Sequence, residues 1–325
     1  MNLTVVVGLM GKRRSIGIDI GHTNIRAARV ENGTVVEVLR ERTDVPGGPE
    51  GVLEQVSRMV IALDHGSGCP VGVGIAGQCD SCLGVVRCGP NLFWPDVPFR
   101  DLLSARVRAK VVLRNDVVMA TFGEWRQGAG KDVDDLACLF VGTGIGGGAI
   151  VGGRLLEGAT GCGGHFGHIS VCMDGPLCSC GRRGCVEAYA GGRNVEARAR
   201  SLLLEDPGAS PALAAACRED LDRLNGRMIS EAASSGDPLS LRIRDDMAAA
   251  LSSAVASVIN SLNPERVVLG GAVLFGFPDL LGMVMRGAVE QCLVPAKAGL
   301  SIVPSALGDI AGAIGAATMA LERYG

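Results

Sequence analysis

The sequence is short of aromatic side chains, short of histidine and without a long apolar run, and each shortage narrows the reading. Phe, Trp and Tyr supply 3% of the 325 residues while hydrophobic residues supply 47%, so the core has to be built from Val, Ile, Leu and Ala. That is the composition of sheets buried on both faces, which points to an α/β class. No apolar stretch reaches the roughly 18 residues needed to cross a bilayer. Residues 3–10 are apolar, but the basic group Lys12-Arg13-Arg14 follows them, whereas a secretory signal places its positive charges first. A cytoplasmic protein with no membrane partner is expected. A basic excess is also missing. The formal net charge is -3 with the two signs interspersed, which offers no surface for a run of phosphates and excludes nucleic acid as a partner.

Length and glycine usage say more. A chain of 325 residues is long for one core, and the prior of roughly 100–200 residues per domain predicts two. Residues 15–21 read as a buried strand ending in a glycine turn, with β-type residues resuming at 25–30. Apolar residues at helical spacing over 49–63 and an apolar run at 71–75 continue a strand-helix-strand alternation. Residues 110–113 form a further short strand that stops at Asn115-Asp116, with a helix opening near 120–125. A second cycle starts with the strand 136–141, which runs into Gly142-Thr143-Gly144-Ile145-Gly146-Gly147-Gly148, a glycine loop joining it to 149–151. Residues 201–245 are helical in pattern, and 247–262 form an amphipathic helix that Asn263-Pro264 ends. A strand at 267–269 then meets Gly270-Gly271. The two halves share a plan without a sequence repeat.

The cysteines carry the sharpest chemical signal. Twelve of them in a chain without an export signal favour reduced thiols and metal ligation over disulfides. His168, Cys178, Cys180 and Cys185 give His-x9-Cys-x-Cys-x4-Cys within 18 residues. Three thiolates and one imidazole fill the four tetrahedral positions of Zn²⁺ and leave none for water, so the site is structural and closed. Buried free thiols or a redox dithiol are the plainer alternatives. The remaining cysteines lack ligand spacing and read as small hydrophobes.

Two glycine turns, Asp19-Ile20-Gly21-His22-Thr23-Asn24 and Gly142-Thr143-Gly144, could cradle polyphosphate through backbone N–H groups and threonine hydroxyls. Neither ends in the Lys-Ser/Thr of a P-loop. Asp19, at the end of its strand, is placed to hold Mg²⁺ through water. Asp116 could act as general base toward a hydroxyl attacking the γ-phosphoryl group, a role that contributes about 10²–10⁴-fold. It could equally cap the helix that follows.

Taken together, these pieces resemble the ROK family (repressors, open reading frames and kinases) from Ser15 to the C-terminus. The turn at Asp19, the Asn115-Asp116 pair, the glycine run from Gly142 and Cys178-Ser179-Cys180-Gly181-Arg182-Arg183-Gly184-Cys185-Val186-Glu187 stand in the family's order. The late segments 264–271 and 307–316 look like its adenosine-side turn and closing helix. The resemblance implies an actin-like, ribonuclease-H-like two-lobed sugar kinase fold. Its N-terminal lobe would be 1–117, rejoined by the C-terminal helix 306–325, and its larger lobe 118–305. It implies ATP, Mg²⁺ and structural Zn²⁺. Asp116 would be the catalytic base. Gly77, Asn91, Asn115, Asp116, His165, His168 and Glu187 would meet the sugar. Asp19, Gly21, Thr23, Asn24, Gly142, Thr143, Gly144, Gly270 and Gly271 would meet the nucleotide. A homodimer or homotetramer is expected by the same analogy.

Two positions depart from the family pattern. A Glu-x-Gly-His motif is here His165-Phe166-Gly167-His168, so an imidazole replaces a carboxylate expected near the anomeric end of the sugar. Altered sugar preference, simple space-filling and a spare zinc ligand are the readings open for His165. His22 stands where a small residue is usual. The default expectation is phosphorylation of glucose to glucose 6-phosphate. The alternatives are another hexose or N-acetylhexosamine (allose, mannose, fructose, N-acetylmannosamine or N-acetylglucosamine) and a catalytically silent sugar sensor. A DNA-binding regulator is disfavoured, because the 14 residues before Ser15 are too few for a helix-turn-helix.

Overall fold

The structure, a computed structural model, describes residues 13–89, 94–217 and 220–325. The chain divides into two compact units, one up to Ala120 together with Gly312–Gly325, the other Thr121–Ala311. In the first unit β1 (Arg14–Ile20), β2 (Asn24–Glu31) and β3 (Thr34–Arg42) form an antiparallel meander that leads into α1 (Gly48–Asp64). β4 (Val71–Ile75) pairs parallel with β1. A small antiparallel sheet of β5 (Gln78–Asp80), β6 (Val85–Gly89) and β7 (Trp94–Val97) follows. Then α2 (Phe99–Val107) leads to β8 (Val111–Asn115), parallel to β4, and α3 (Asp116–Gln127) carries the chain into the second unit.

The second unit repeats the topology. β9 (Leu136–Val141), β10 (Ile145–Val151) and β11 (Arg154–Leu155) are an antiparallel meander. A 3-10 turn at Phe166–His168 and the Cys/His loop precede α4 (Val186–Ala190), α5 (Gly192–Glu205), α6 (Pro211–Ala216), α7 (Gly226–Ser234) and α8 (Pro238–Leu262). β12 (Arg266–Gly270) pairs parallel with β9. After α9 (Ala272–Gly276) and α10 (Leu280–Gln291), β13 (Ser301–Pro304) pairs parallel with β12. α11 (Ala311–Tyr324) returns to the first unit. The sheet orders β3-β2-β1-β4-β8 and β11-β10-β9-β12-β13 are the same plan. The two glycine turns, at 21–23 and 142–144, therefore hold equivalent places between the first two strands of each sheet.

The alternation along β1 explains its packing. Ile16, Ile18 and Ile20 are fully buried and join Val52, Leu53, Val56, Met59, Val60 and Leu63 of α1 in one core cluster. A buried side chain of this kind contributes about 1.5–3 kcal/mol. The opposite face is small because α11 lies against it. A Cβ on Gly17 would fall 1.8 Å from the Ala313 carbonyl, and one on Gly72 1.9 Å from that of Ala316. α11 answers with Ala313, Ala316, Ala317 and Ala320, all at 0% exposure and spaced along one helical face. In the second unit α8 and α10 approach closely because Gly287 leaves room for Ser252. α8 starts at Asp237, whose side chain accepts from Ser240 N–H, and ends at Asn263 in a left-handed conformation (φ 45°). Among the described residues no helix is long and apolar enough to cross a membrane.

Candidate functional site

In the first unit the turn after β1 is held from below. Thr43 Oγ1 donates to the Gly21 carbonyl (2.7 Å) and Thr43 N–H to the Thr23 carbonyl (3.1 Å), while Gly21 N–H donates to the Asn24 carbonyl (3.0 Å). Asp19 lies 3.6 Å from the Arg26 guanidinium. A Cβ on Gly312 would come within 2.9 Å of the Asp19 carboxyl carbon, so Gly312 is small because Asp19 sits at the amino end of α11. That end of a helix favours negative charge.

Asp116 opens α3 directly after β8, four residues before the helical start expected from sequence, and the cap is its neighbour. Asn115 Oδ1 accepts from Val117 N–H (2.9 Å) and Val118 N–H (3.2 Å), and Asn115 Nδ2 donates to the Gly77 carbonyl (3.1 Å). Gly77, Asn115 and Asp116 are thus brought together, with Gly74 packed beneath Asp116. Burial pushes the Asp116 carboxyl up to about 6, even though its surface is only partly covered. Backbone N–H groups of Val117 and Asp116 and the Asn115 side chain offset part of that rise. Asn91 lies outside the described residues.

The second turn is clamped more tightly. Gly142 N–H donates to the Gly144 carbonyl (2.9 Å). The first N–H groups of α5 occupy the turn's carbonyls, Gly192 to Gly142 at 2.9 Å and Arg193 to Thr143 at 3.1 Å. Ile145 N–H donates to Glu187 Oε2 at 2.8 Å, and a Cβ on Gly144 would fall 2.6 Å from that oxygen. Gly271 has φ 103° and rests on Val141, while Gly192 meets Val273 of α9, so 142–144, 191–193 and 270–273 converge. The rest of the glycine run is strand, not loop. Gly146, Gly147 and Gly148 pair with Phe140, Leu139 and Cys138. Gly147 and Gly148 are small because Phe166 and Thr121 press on them.

His168, Cys178, Cys180 and Cys185 place their ligand atoms within 4.8 Å of one another. Cys180 and Cys185 sulfurs are 3.6 Å apart, and Cys178 Sγ is 3.7 Å from His168 Nδ1. Zn–S bonds of about 2.3 Å separate two ligand sulfurs by roughly 3.8 Å, so the residues fit the ion. Gly181 (φ 85°) and Gly184 (φ 74°) make the turns, and a Cβ at 184 would collide with the Cys172 carbonyl. His165 is not among these four residues. Its ring centroid is 6.4 Å from that of His168. It stays exposed, yet desolvation, helped by His168 beside it, holds its imidazole below the ordinary value. Of the other cysteines, Cys69, Cys79, Cys138, Cys217 and Cys292 are buried as expected, whereas Cys82, Cys162 and Cys172 are exposed.

Thr43, the Gly192-Arg193 clamp and Glu124 went unread in the sequence. Glu124, at 0% exposure, accepts from Ala129 N–H (2.8 Å), Ala306 N–H (3.0 Å) and Leu307 N–H (2.9 Å). A buried acid in the helical stretch after Asp116 was the available sign, since such a group has to be satisfied.

The sequence model of the ROK family matches residues 15–323, and the chain belongs to that family. It is 34% identical over 326 residues to a glucokinase of Thermotoga maritima, covering 97% of this chain and 100% of that one. It is also 34% identical over 198 residues to an N-acetylmannosamine kinase of Vibrio cholerae, covering 59% of this chain and 67% of that one. Among solved structures, a ROK family glucokinase from Streptomyces griseus in complex with glucose and AMPPNP has a TM-score of 0.81 at 32% identity, covering 95% of this chain and 99% of that one.

Proposed function

We propose that the protein is an ATP-dependent sugar kinase that phosphorylates glucose at its 6-hydroxyl. The observation that carries the reading is Asp116. It stands at the head of α3 with the capping duty taken by Asn115, and burial raises its carboxyl to about 6. A carboxylate tuned upward toward working pH is suited to general-base catalysis. One Asp116 carboxylate oxygen takes the proton of the sugar hydroxyl. The hydroxyl oxygen bonds to the γ-phosphorus, and the bond from that phosphorus to the β,γ-bridging oxygen breaks, leaving its electron pair on ADP. The full-length likeness to the Thermotoga glucokinase and to the glucose and AMPPNP complex supports this reaction.

Gly21, Thr23 and Asn24 in one turn and Gly142, Thr143 and Gly144 in the other are assigned to the phosphates, with Gly270 and Gly271 on the adenosine side. Asp19 would hold magnesium through water, and the ion, when bound, offsets phosphate charge. Gly77, Asn115, His165, His168 and Glu187 are assigned to the sugar. Zinc, when bound, supplies a fixed cross-link. With Nδ1 turned to the cysteines, His168 keeps Nε2 for a sugar hydroxyl. A homodimer or homotetramer is proposed with this reading.

A second reading, a kinase for another hexose or an N-acetylhexosamine, is favoured by His165. Neutral imidazole accepts one hydrogen bond and donates one where a carboxylate would only accept, and a mismatched partner costs about 1–3 kcal/mol. A coupled ADP-release assay with Mg-ATP against a panel of hexoses and N-acetylhexosamines decides between them, with Asp116→Asn as control. Turnover led by glucose and lost in the variant is expected. Turnover led by another sugar selects the second reading, and none with any sugar contradicts both.

A further inference from the structure

Glu187 touches two parts of the second unit that serve different ligands. Its Oε2 accepts from Ile145 N–H at 2.8 Å, directly after the turn 142–144. Its Oε1 lies 3.4 Å from the Ser179 hydroxyl, which donates to it, and 4.0 Å from Cys178 Sγ. The backbone ties the two further. Cys185 is the N-cap residue of α4, so Glu187 rides on the first turn of a helix whose start a metal ligand fixes. A second contact runs in the same direction. Gly167, next to His168, packs so tightly under Ile145 that a Cβ there would lie 2.1 Å from the Ile145 carbonyl oxygen. Ile145 is therefore held at its N–H and at its carbonyl by residues adjacent to the ligand set.

We propose that Glu187 is a positioning residue that transmits the state of the Cys/His loop to the phosphate turn, so that zinc occupancy sets nucleotide affinity as well as the sugar site. The inference rests on the reading that the turn 142–144 holds ATP phosphates. With the loop cross-linked, Glu187 is fixed, and its charge-assisted bond keeps Ile145 and the turn in one arrangement. With the loop released, the turn has to be ordered by the nucleotide itself, and that ordering is subtracted from binding. Linkage requires the reciprocal effect, with nucleotide raising zinc affinity by the same factor.

The test is calorimetric binding of Mg-AMPPNP in the absence of sugar. It uses the wild type, Glu187→Gln, Glu187→Ala and Ser179→Ala, each zinc-loaded and after chelation, with zinc content measured by atomic emission. Chelation should weaken wild-type nucleotide binding about 5–100-fold, in the usual range of coupling between sites, and zinc restoration should recover it. Glu187→Ala should bind weakly with zinc present and show no further loss on chelation. Glu187→Gln should keep most of the affinity, because its amide oxygen still accepts from Ile145 N–H. Ser179→Ala removes no ligand and lies at the surface, so it should fold even where Glu187→Ala does not, and its response to chelation should be reduced. Wild-type affinity that ignores chelation, or a Ser179→Ala or Glu187→Ala variant that responds as fully as the wild type, overturns the inference. Zinc-loaded wild type that binds no nucleotide at all refutes instead the assignment of the turn to ATP.

Discussion

Replacing Asp116 with Asn should make the protein a worse catalyst and a more stable fold, and the size of the second effect should depend on pH. Burial raises the Asp116 carboxyl from 3.8 to about 6, roughly two pH units, each equivalent to about 1.4 kcal/mol. A fully desolvated group would therefore cost the fold about 3 kcal/mol when ionised. Asp116 keeps part of its surface in water, so screening reduces this to about 1–3 kcal/mol. The folded protein holds the proton more tightly than the unfolded chain. The associated stability is thus complete below about pH 4 and is lost as pH rises through 6. Asparagine avoids the charge and keeps the shape. Urea unfolding of the first unit can be followed by Trp94 in a Trp125→Phe background, since the only two tryptophans fall one in each unit. Asp116→Asn should gain about 1–3 kcal/mol at pH 8 and almost nothing at pH 4, while turnover falls about 10²–10⁴-fold. A variant less stable than the wild type at pH 8, or a gain that does not change with pH, refutes the reasoning.

The same carboxyl predicts that kcat/KM falls roughly tenfold per pH unit below about 6, as read from a pH–rate profile, and a flat profile down to pH 5 would exclude Asp116 as the base. Gly17→Ala places a Cβ 1.8 Å from the Ala313 carbonyl, so urea unfolding should show a loss of about 1–3 kcal/mol or more. Cys180→Ser should lower bound zinc well below one equivalent by atomic emission and weaken glucose binding in calorimetry, because His168 loses its anchor. Glu124→Ala takes the shared acceptor from the partly buried N–H groups of Ala129, Ala306 and Leu307 and should cost about 1–3 kcal/mol in chemical denaturation, with Glu124→Gln recovering part of it.

The strands at 71–75 and 136–141 could be read to the residue from sequence, because each is an apolar run bounded by Pro, Gly or charge and buried on both faces. The start of α3 could not. Asn115-Asp116 offers two capping residues in a row, and only the hydrogen bonds of Asn115 decide which one caps. The stretch 201–245 shows one continuous helical pattern in sequence, yet the structure breaks it at Pro211, Asn225 and Asp237, each next to a new helix start. Local signals were present there but weaker than the alanine and leucine periodicity. The Cys/His loop was legible because ligand spacing is a local property. Glycine was the least legible residue. Gly142 and Gly144 belong to a turn, Gly147 and Gly148 to packing, and Gly17 and Gly72 to the C-terminal helix, far away in the chain. Contacts between residues distant in sequence, the strut from Glu187 to Ile145 among them, exist only once the chain has folded.

The most direct test of the proposed reaction is phosphorus NMR of protein incubated with Mg-ATP and glucose, with Asp116→Asn alongside. A phosphomonoester resonance split into a triplet by the two C6 protons, growing as the γ-phosphate resonance decays and absent with the variant, is the result predicted. Decay of ATP to inorganic phosphate alone, or an equal ester signal from Asp116→Asn, would contradict a glucose kinase that uses Asp116 as its base.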